Sequence, residues 1–341
     1  MYDIAIIGGG VAGLVTASGA AQFGAKVALV EKGKMGGDCL NYGCVPTKAL
    51  VHTARIFHKV KNSAEHGIDI SSLKFDFRKA MDHMRGIQAE IAKHDDPERF
   101  RKMGVDVFLG DGKFADQNTF KVGGQTIKSK KFLIATGSRP VKLPIPGLDK
   151  VDSLNNETIL ELNKLPSSML ILGAGPIGME YAQIFARFGT KVTVIEKMGQ
   201  ILPREEKELA DILEGVFKRE GVDVQTCIET KNMEQTNGKI RLTADCQKDQ
   251  CEKTFEADKL FAASGRAPNV EGLNLEGIGV AFDRRGIKVD DTLKTTVANI
   301  WAAGDVTGMF PFTHMAEYEA GIVISNALFP LVNRKVRKDV V

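Results

Sequence analysis

The chain has no surplus of charge of one sign: 46 Lys and Arg against 43 Asp and Glu leave a formal net charge of +3. Spread along the whole length, that balance provides no basic face for nucleic acid or for an anionic membrane surface. An unbroken apolar run is also missing. The most apolar window, residues 4–21, is interrupted by Gly8, Gly9, Gly10, Gly13 and Gly19, and it reads as strand, tight turn and helix rather than a membrane span. Met1 is followed almost at once by the strand-like Asp3-Ile4-Ala5-Ile6-Ile7, without the basic segment, apolar stretch and small-residue site of an export signal. The expected compartment is therefore the reducing cytoplasm, where a cysteine pair is more often catalytic or metal-binding than a lasting structural bridge. Cysteine is scarce, at five residues, and no two pairs stand at zinc-ribbon spacing, so no metal site is expected.

What is present is globular and repetitive. A hydrophobic content of 43% with 26% charged residues suits a soluble protein, and 341 residues predict two or three domains. Gly8-Gly9-Gly10-Val11-Ala12-Gly13 and Gly173-Ala174-Gly175-Pro176-Ile177-Gly178 both fit G-x-G-x-x-G, and Gly24-Ala25-Lys26-Val27 matches Gly189-Thr190-Lys191-Val192. Glu31 matches Glu196, and every correspondence has the same offset of 165 positions. One G-x-G-x-x-G alone is weak. Here each copy follows an apolar strand, opens an apolar helix and reaches a second strand ending in Glu, which together make the dinucleotide-binding βαβ pattern. Gly8, Gly10 and Gly13, like Gly173, Gly175 and Gly178, would let backbone approach a pyrophosphate whose charge the helix N-terminus favours. Glu31 and Glu196 would accept hydrogen bonds from ribose hydroxyls. Two such patterns predict two bound dinucleotides. A carboxylate at Glu196 suits a 2′-hydroxyl and repels a 2′-phosphate, which favours NAD(H) over NADP(H), although Lys197 follows it and Arg204 is near.

Just beyond Glu31 stands Gly36-Gly37-Asp38-Cys39-Leu40-Asn41-Tyr42-Gly43-Cys44-Val45-Pro46-Thr47-Lys48. Pro46 fits an early helical position, so Cys44 is expected at or near a helix N-terminus, where the dipole favours a thiolate. The competing reading is two unrelated buried cysteines.

This segment resembles the active-site motif of the class I pyridine nucleotide-disulfide oxidoreductases, among them dihydrolipoyl dehydrogenase, glutathione reductase and mercuric reductase. Further segments recur in that family's order: Phe132-Leu133-Ile134-Ala135-Thr136-Gly137-Ser138-Arg139-Pro140, Ala263-Ser264-Gly265-Arg266-Ala267-Pro268-Asn269, and Ile300-Trp301-Ala302-Ala303-Gly304-Asp305-Val306. The resemblance implies an α/β protein of two Rossmann-like domains. An FAD domain of residues 1–149 and 266–341 would receive a nicotinamide domain, 150–265, as an insertion. It implies a redox disulfide, with Cys44 the thiol beside the flavin and Cys39 the thiol that exchanges with substrate. Lys48 would lie near the flavin and pair with Glu180. Gly8, Gly10, Gly13, Glu31, Lys32, Gly37, Thr136, Gly137, Asp305 and Ala316 are the implied FAD contacts, with Asp305 on the ribityl chain. Gly173, Gly175, Gly178, Glu196 and Gly265 are those for NAD. Phe312-Thr313-His314-Met315-Ala316 would begin a helix aimed at the flavin, with His314 packing there rather than acting as a base. The partner would be a small-molecule or protein-bound disulfide or dithiol.

Two departures accompany the resemblance. Family members continue for ~100–150 residues, about one more domain, beyond this C-terminus, and that part makes most of the dimer interface and supplies a proton-handling His–Glu pair. The intact protein is thus expected to be a homodimer, the chain itself a monomeric fragment, and residues 332–338 an interdomain linker. Asp38 and Tyr42 also stand where better-known members often carry threonine and valine. The expected activity is an NADH-linked, dihydrolipoyl dehydrogenase-like disulfide oxidoreductase. The alternatives are a mercuric reductase-like enzyme, or a diaphorase or NADH oxidase that leaves the disulfide unused. Of the other cysteines, Cys246 and Cys251 are expected at a hairpin tip and Cys227 in a strand or core. Residues 105–134 read as a small β-meander turning at Gly110–Gly112 and Gly123-Gly124.

Overall fold

The computed structural model describes residues 1–337. Its α-helices, in chain order, are α1 (Val11–Gln22), α2 (Gly37–Asn41), α3 (Cys44–Lys61), α4 (Phe77–Ala92), α5 (Pro97–Lys102), α6 (Pro176–Phe188), α7 (Lys207–Arg219) and α8 (Thr313–Leu328). No described helix is long and apolar enough to cross a membrane. Contacts divide the chain into two compact units: residues 1–41, 88–139 and 266–341, and residues 42–87 and 140–265.

The first unit is organised by a parallel sheet in the order Ile300–Ala302, Phe132–Ile134, Ile4–Ile7, Val27–Glu31 and Val105–Leu109. Its central strands are buried on both faces, as parallel sheets require, so their sequences run almost unbroken in Ile, Val, Leu and Ala. The period of two still sorts them. Ile4, Ile6, Leu29, Leu133 and Trp301 pack with α1 and α8. Ala5, Ile7, Ala28, Phe132 and Ile134 pack with Phe114, Phe120 and Ile127 of a three-stranded antiparallel sheet.

The second unit repeats this arrangement. Its parallel sheet runs Asp223–Gln225, Lys191–Ile195, Ser168–Leu172, Lys259–Ala262 and Ser153–Leu154. One face packs with α3, α4, α6 and α7 through Met169, Ile171, Val194, Tyr181, Phe185 and Phe261. The other meets an antiparallel sheet of Ile228–Thr236, Lys239–Cys246 and Cys251–Ala257 through Leu170, Leu172, Ile240 and Leu242. Cys246 and Cys251 face each other across a hairpin whose tip is residues 247–250.

Four sequence expectations change. Residues 42–87 and 140–149 belong by contacts to the second unit, because the apolar stripe of α3 (Ala49, Leu50, Ala54) packs into the core that α6 forms. The expected meander is confined to Gly112–Asp116, Thr119–Val122 and Gln125–Lys128, since the strands on either side, Val105–Leu109 and Phe132–Ile134, are recruited into the parallel sheet. Alternation alone does not reveal to which sheet a strand goes. Cys227 is neither in a strand nor in a core cluster; it has φ +59° at a turn before the strand from Ile228, half-buried. The expected linker is tied down as far as it is described: Asn326 brackets Arg334 through its amide, and Val336 N–H donates to Asp291 O at 2.8 Å. Lys338, at its end, lies outside the described residues.

Phe185 is 1% exposed amid Tyr181, Phe77 and its neighbours in the second unit's core. Phe185→Ala should lower the unfolding free energy by about 3–5 kcal/mol, read as a drop in urea midpoint at unchanged m value. A loss under 1 kcal/mol would mean that this core collapses around the cavity.

Candidate functional site

The two glycine turns are superimposable in their bonding. Gly8 (φ +115°) and Gly173 (φ +104°) leave their strands in conformations that favour glycine. A Cβ on Gly8 would lie 2.2 Å from Ala135 O, and one on Gly173 2.7 Å from Ala263 O. A Cβ on Gly13 would meet Gly8 O at 1.9 Å, and on Gly178 Gly173 O at 2.0 Å. Each helix is therefore pressed onto its own turn. The middle glycines differ: Gly10 has only Gly37 Cα at 3.8 Å, and Gly175 has nothing within 4 Å. They also cap α1 and α6 without a side-chain bond to the first N–H groups, leaving donors directed at the space beside the turn.

The two glutamates are held in matching ways. Glu31 Oε2 accepts from Gly9 N–H and Oε1 from Gly33 N–H, both at 2.6 Å. Glu196 Oε2 accepts from Ala174 N–H at 2.7 Å and Oε1 from Met198 N–H at 2.8 Å. A carboxylate has about four acceptor positions, so each glutamate keeps capacity for hydroxyl donors. Tight turns, open middle glycines, uncapped helix starts and oriented acceptors together fit a pyrophosphate with a ribose on each unit. Lys32 is exposed just past Glu31, and Lys197 is engaged by Glu229 at 2.6 Å.

In the first unit, Thr136 and Asn269 interlock: Thr136 Oγ1 donates to Asn269 O at 2.7 Å, and Asn269 Nδ2 donates to Thr136 O at 2.8 Å. Gly137 follows at φ +70°. Asp305 begins a short 3-10 turn, and its Oδ2 accepts from Ser138 Oγ at 2.6 Å. Ala316 lies buried in the first turn of α8, against Gly304. Phe312 and His314 stack at 5.4 Å at the start of that helix. In the second unit, Lys48 of α3 and Glu180 of α6 form an ion pair of 2.6 Å between half-exposed side chains. Glu180 also borders a groove of about 420 Å³ between α6 and α7. Gly265 ends this unit at φ +123°.

Cys39 lies within α2 in the first unit, half-buried, and Cys44 is the exposed first residue of α3 in the second. Gly37, which starts α2, touches the first turn: a Cβ there would meet Gly10 Cα at 2.7 Å. Thr47, three residues into α3, donates to Tyr181 Oη at 3.3 Å inside the second core.

Three residues that sequence reasoning did not single out hold this arrangement. Ser138 and Arg266 sit within quoted motifs, but only the fold brings them together, at 2.8 Å. Glu319 is fully buried in α8; its Oε2 accepts from Gly304 N–H at 2.6 Å, and its Oε1 has no hydrogen-bond partner among the described residues. The signal was available: a lone carboxylate on the apolar face of Met315, Ala316, Ala320 and Val323. Burial, seconded by the charge of Asp305 and opposed by the Gly304 N–H, pushes its carboxyl from 4.5 to about 7.

Residues 2–320 match the family model of the pyridine nucleotide-disulphide oxidoreductases, and the chain belongs to that family. It is 37% identical over 332 residues to a dihydrolipoyl dehydrogenase of Acholeplasma laidlawii, covering 96% of each chain. It is 36% identical to a mercuric reductase of Bacillus cereus, over all of this chain but 54% of that one. Among solved structures, the HOCl-induced flavoprotein disulfide reductase RclA from Escherichia coli matches with a TM-score of 0.86 at 31% identity, covering 97% of this chain and 72% of that one. The chain thus spans between about half and two thirds of the mercuric reductases that it resembles.

Because Glu319 is raised above its unfolded value, the folded chain holds a proton there that the unfolded chain has released between about pH 4.5 and 7. The group's contribution is full below the unfolded value and is lost as pH rises through about 7, on the order of 3 kcal/mol in all. Glu319→Gln keeps the acceptor for Gly304 and removes the titration. Its urea midpoint should vary less than the parent's between pH 5 and 8, with the gain at pH 8. Parallel curves would mean that Glu319 is stabilised as the carboxylate.

Proposed function

We propose that this chain is the dinucleotide-binding part of an FAD-dependent, NADH-linked disulfide oxidoreductase of the dihydrolipoyl dehydrogenase type, with Cys39 and Cys44 as its redox pair. The observation that carries the reading is the duplicated turn with its bound glutamate, once in each unit, with the two cysteines at the chain's passage from one unit to the other. On this reading the first unit holds FAD through Gly8, Gly10, Gly13, Glu31, Lys32, Gly37, Thr136, Gly137, Asp305 and Ala316. The second holds NAD through Gly173, Gly175, Gly178, Glu196 and Gly265.

The flavin would supply two-electron chemistry that links hydride exchange with the nicotinamide to thiol–disulfide exchange. The chain's own residues do the rest. The α1 N-terminus neutralises the pyrophosphate, and Asp305 orients the ribityl hydroxyls. The start of α8 would offer N–H groups to the ring, where they would favour negative charge. In the second unit, Lys48 is a positive charge held by Glu180. Cys44, as the first residue of an 18-residue helix, is the thiol that its dipole helps to ionise. Cys39 is then the thiol left to meet a disulfide or dithiol partner.

NADH is the favoured nicotinamide. Glu196 is buried with both oxygens committed to backbone N–H groups, so it cannot swing away from a 2′-phosphate, and Lys197 is already paired with Glu229. Glu196→Ser should reduce the preference for NADH over NADPH by about tenfold or more; an unchanged ratio of kcat/KM for flavin reduction would count against this placement.

The deciding measurement is an anaerobic NADH titration of the FAD-loaded chain followed by visible absorbance. A long-wavelength band that is absent from Cys44→Ser is the expected result. Bleaching without such a band in the parent chain would withdraw the redox roles of Cys39 and Cys44 and leave diaphorase chemistry.

A further inference from the structure

Asp38, which stands beside Cys39 where threonine was expected, has a partner in the first unit: its Oδ1 lies 3.1 Å from Arg266 Nη2. Arg266 is bound at two more points, donating from Nε to Ser138 Oγ at 2.8 Å and from Nη2 to Ser138 O at 2.9 Å. Ser138 Oγ in turn donates to Asp305 Oδ2 at 2.6 Å. Asp305 Oδ1 accepts no hydrogen bond from protein among the described residues, so one oxygen is oriented by the chain and the other is left for a ligand. The order of the bonds fixes their direction. Serine has a single O–H to give, and the Arg266 N–H entering its oxygen turns that proton towards Asp305. Arg266 can serve in this way only while its guanidinium plane is held, and with its side chain 19% exposed the charge is largely withdrawn from water.

Helix α2 does not need the ion pair to form. Gly36 N–H donates to Gly9 O, Asn41 Nδ2 to Met35 O and Gly37 O, and Gln88 Nε2 to Leu40 O and Asn41 O. The backbone of α2 is pinned at both ends, so Asp38 presents its carboxylate from a fixed base. Without that carboxylate, Arg266 would lose its charged acceptor. The next one along the chain of bonds is Asp305 itself, whose capture would draw it from the ligand.

We propose that Asp38 is a positioning residue for the flavin cofactor: acting through Arg266 and Ser138, it sets Asp305 to receive the ribityl chain while tying that turn to the helix that carries Cys39. The inference rests on the reading of the first unit as the FAD site. It adds to that reading a residue that acts through its neighbour Arg266.

The test is a double-mutant cycle on FAD affinity, measured by flavin fluorescence during reconstitution of the apoprotein. Asp38→Asn should raise the FAD Kd about three- to tenfold, the scale of a lost, partly buried ion pair, and Asp38→Glu should recover most of it. In a Ser138→Ala background the same Asp38→Asn change should cost less than about twofold, because the bond through which it acts is gone. The apo forms of the parent and Asp38→Asn should share one urea midpoint, which separates positioning from folding. Unchanged affinity in Asp38→Asn, or an equal cost in both backgrounds, would overturn the proposal. A parent chain that fails to take up FAD would overturn the first unit's assignment as well, and that failure is visible before any variant is made.

Discussion

The rest of this structure depends on a steric contact repeated at 165 residues' distance: a helix lying so close to the turn before it that no side chain fits between. A Cβ on Gly13 or Gly178 would sit within about 2 Å of the carbonyl oxygen of Gly8 or Gly173. That proximity allows the open middle glycine to face outward, with the helix N–H groups beside it. The bonding round each turn follows from the same geometry. Gly8 N–H reaches Val30 O and Gly173 N–H reaches Ile195 O, both at 2.8–2.9 Å, while Glu31 and Glu196 close the loop from the neighbouring strand. Loss of either glycine would push the helix from the sheet and disperse every group that faces the ligand.

This part of the molecule was legible in the sequence because its determinants are local. Glycine at fixed positions, apolar strands before and after, and a terminal glutamate all lie within about 25 residues of one another, and the repeat states them twice. The two parallel sheets follow from such patterns. What stayed hidden depends on contacts between distant segments. The assignment of residues 42–87 to the second unit rests on α3 meeting α6 more than 100 residues later. The Asp38–Arg266–Ser138–Asp305 chain joins four segments that no spacing rule connects. Glu319 was legible in principle, as one charge on an apolar helix face, but its single bond to Gly304 appears only when the strand end and the helix are brought together.

Carboxylates that accept from backbone N–H groups are used in two ways here. Glu31 and Glu196 have both oxygens met by backbone N–H groups. Glu319 has one such donor and an orphan oxygen, and burial favours its neutral form. On the proposed reading the first two remain acceptors for a ligand, whereas the third braces the Gly304–Asp305 turn.

The placement of the cysteines carries the last step. Were Cys39 and Cys44 joined, the closed loop would hold only six residues, and on the chain-entropy account a bridge of that span adds about 2 kcal/mol, less than half of what a 100-residue loop would. The local structure needs little such help. α2 is fixed by Asn41, Gln88 and the contact of Gly37 with Gly10, and α3 by Thr47 and its buried Ala49 and Leu50. Helices that are each anchored within their own unit, and follow one another in the chain after two residues, Tyr42 and Gly43, gain little as scaffold from a bridge. On the proposed reading, supports that fold without the bridge are what a redox disulfide requires and a structural one does not.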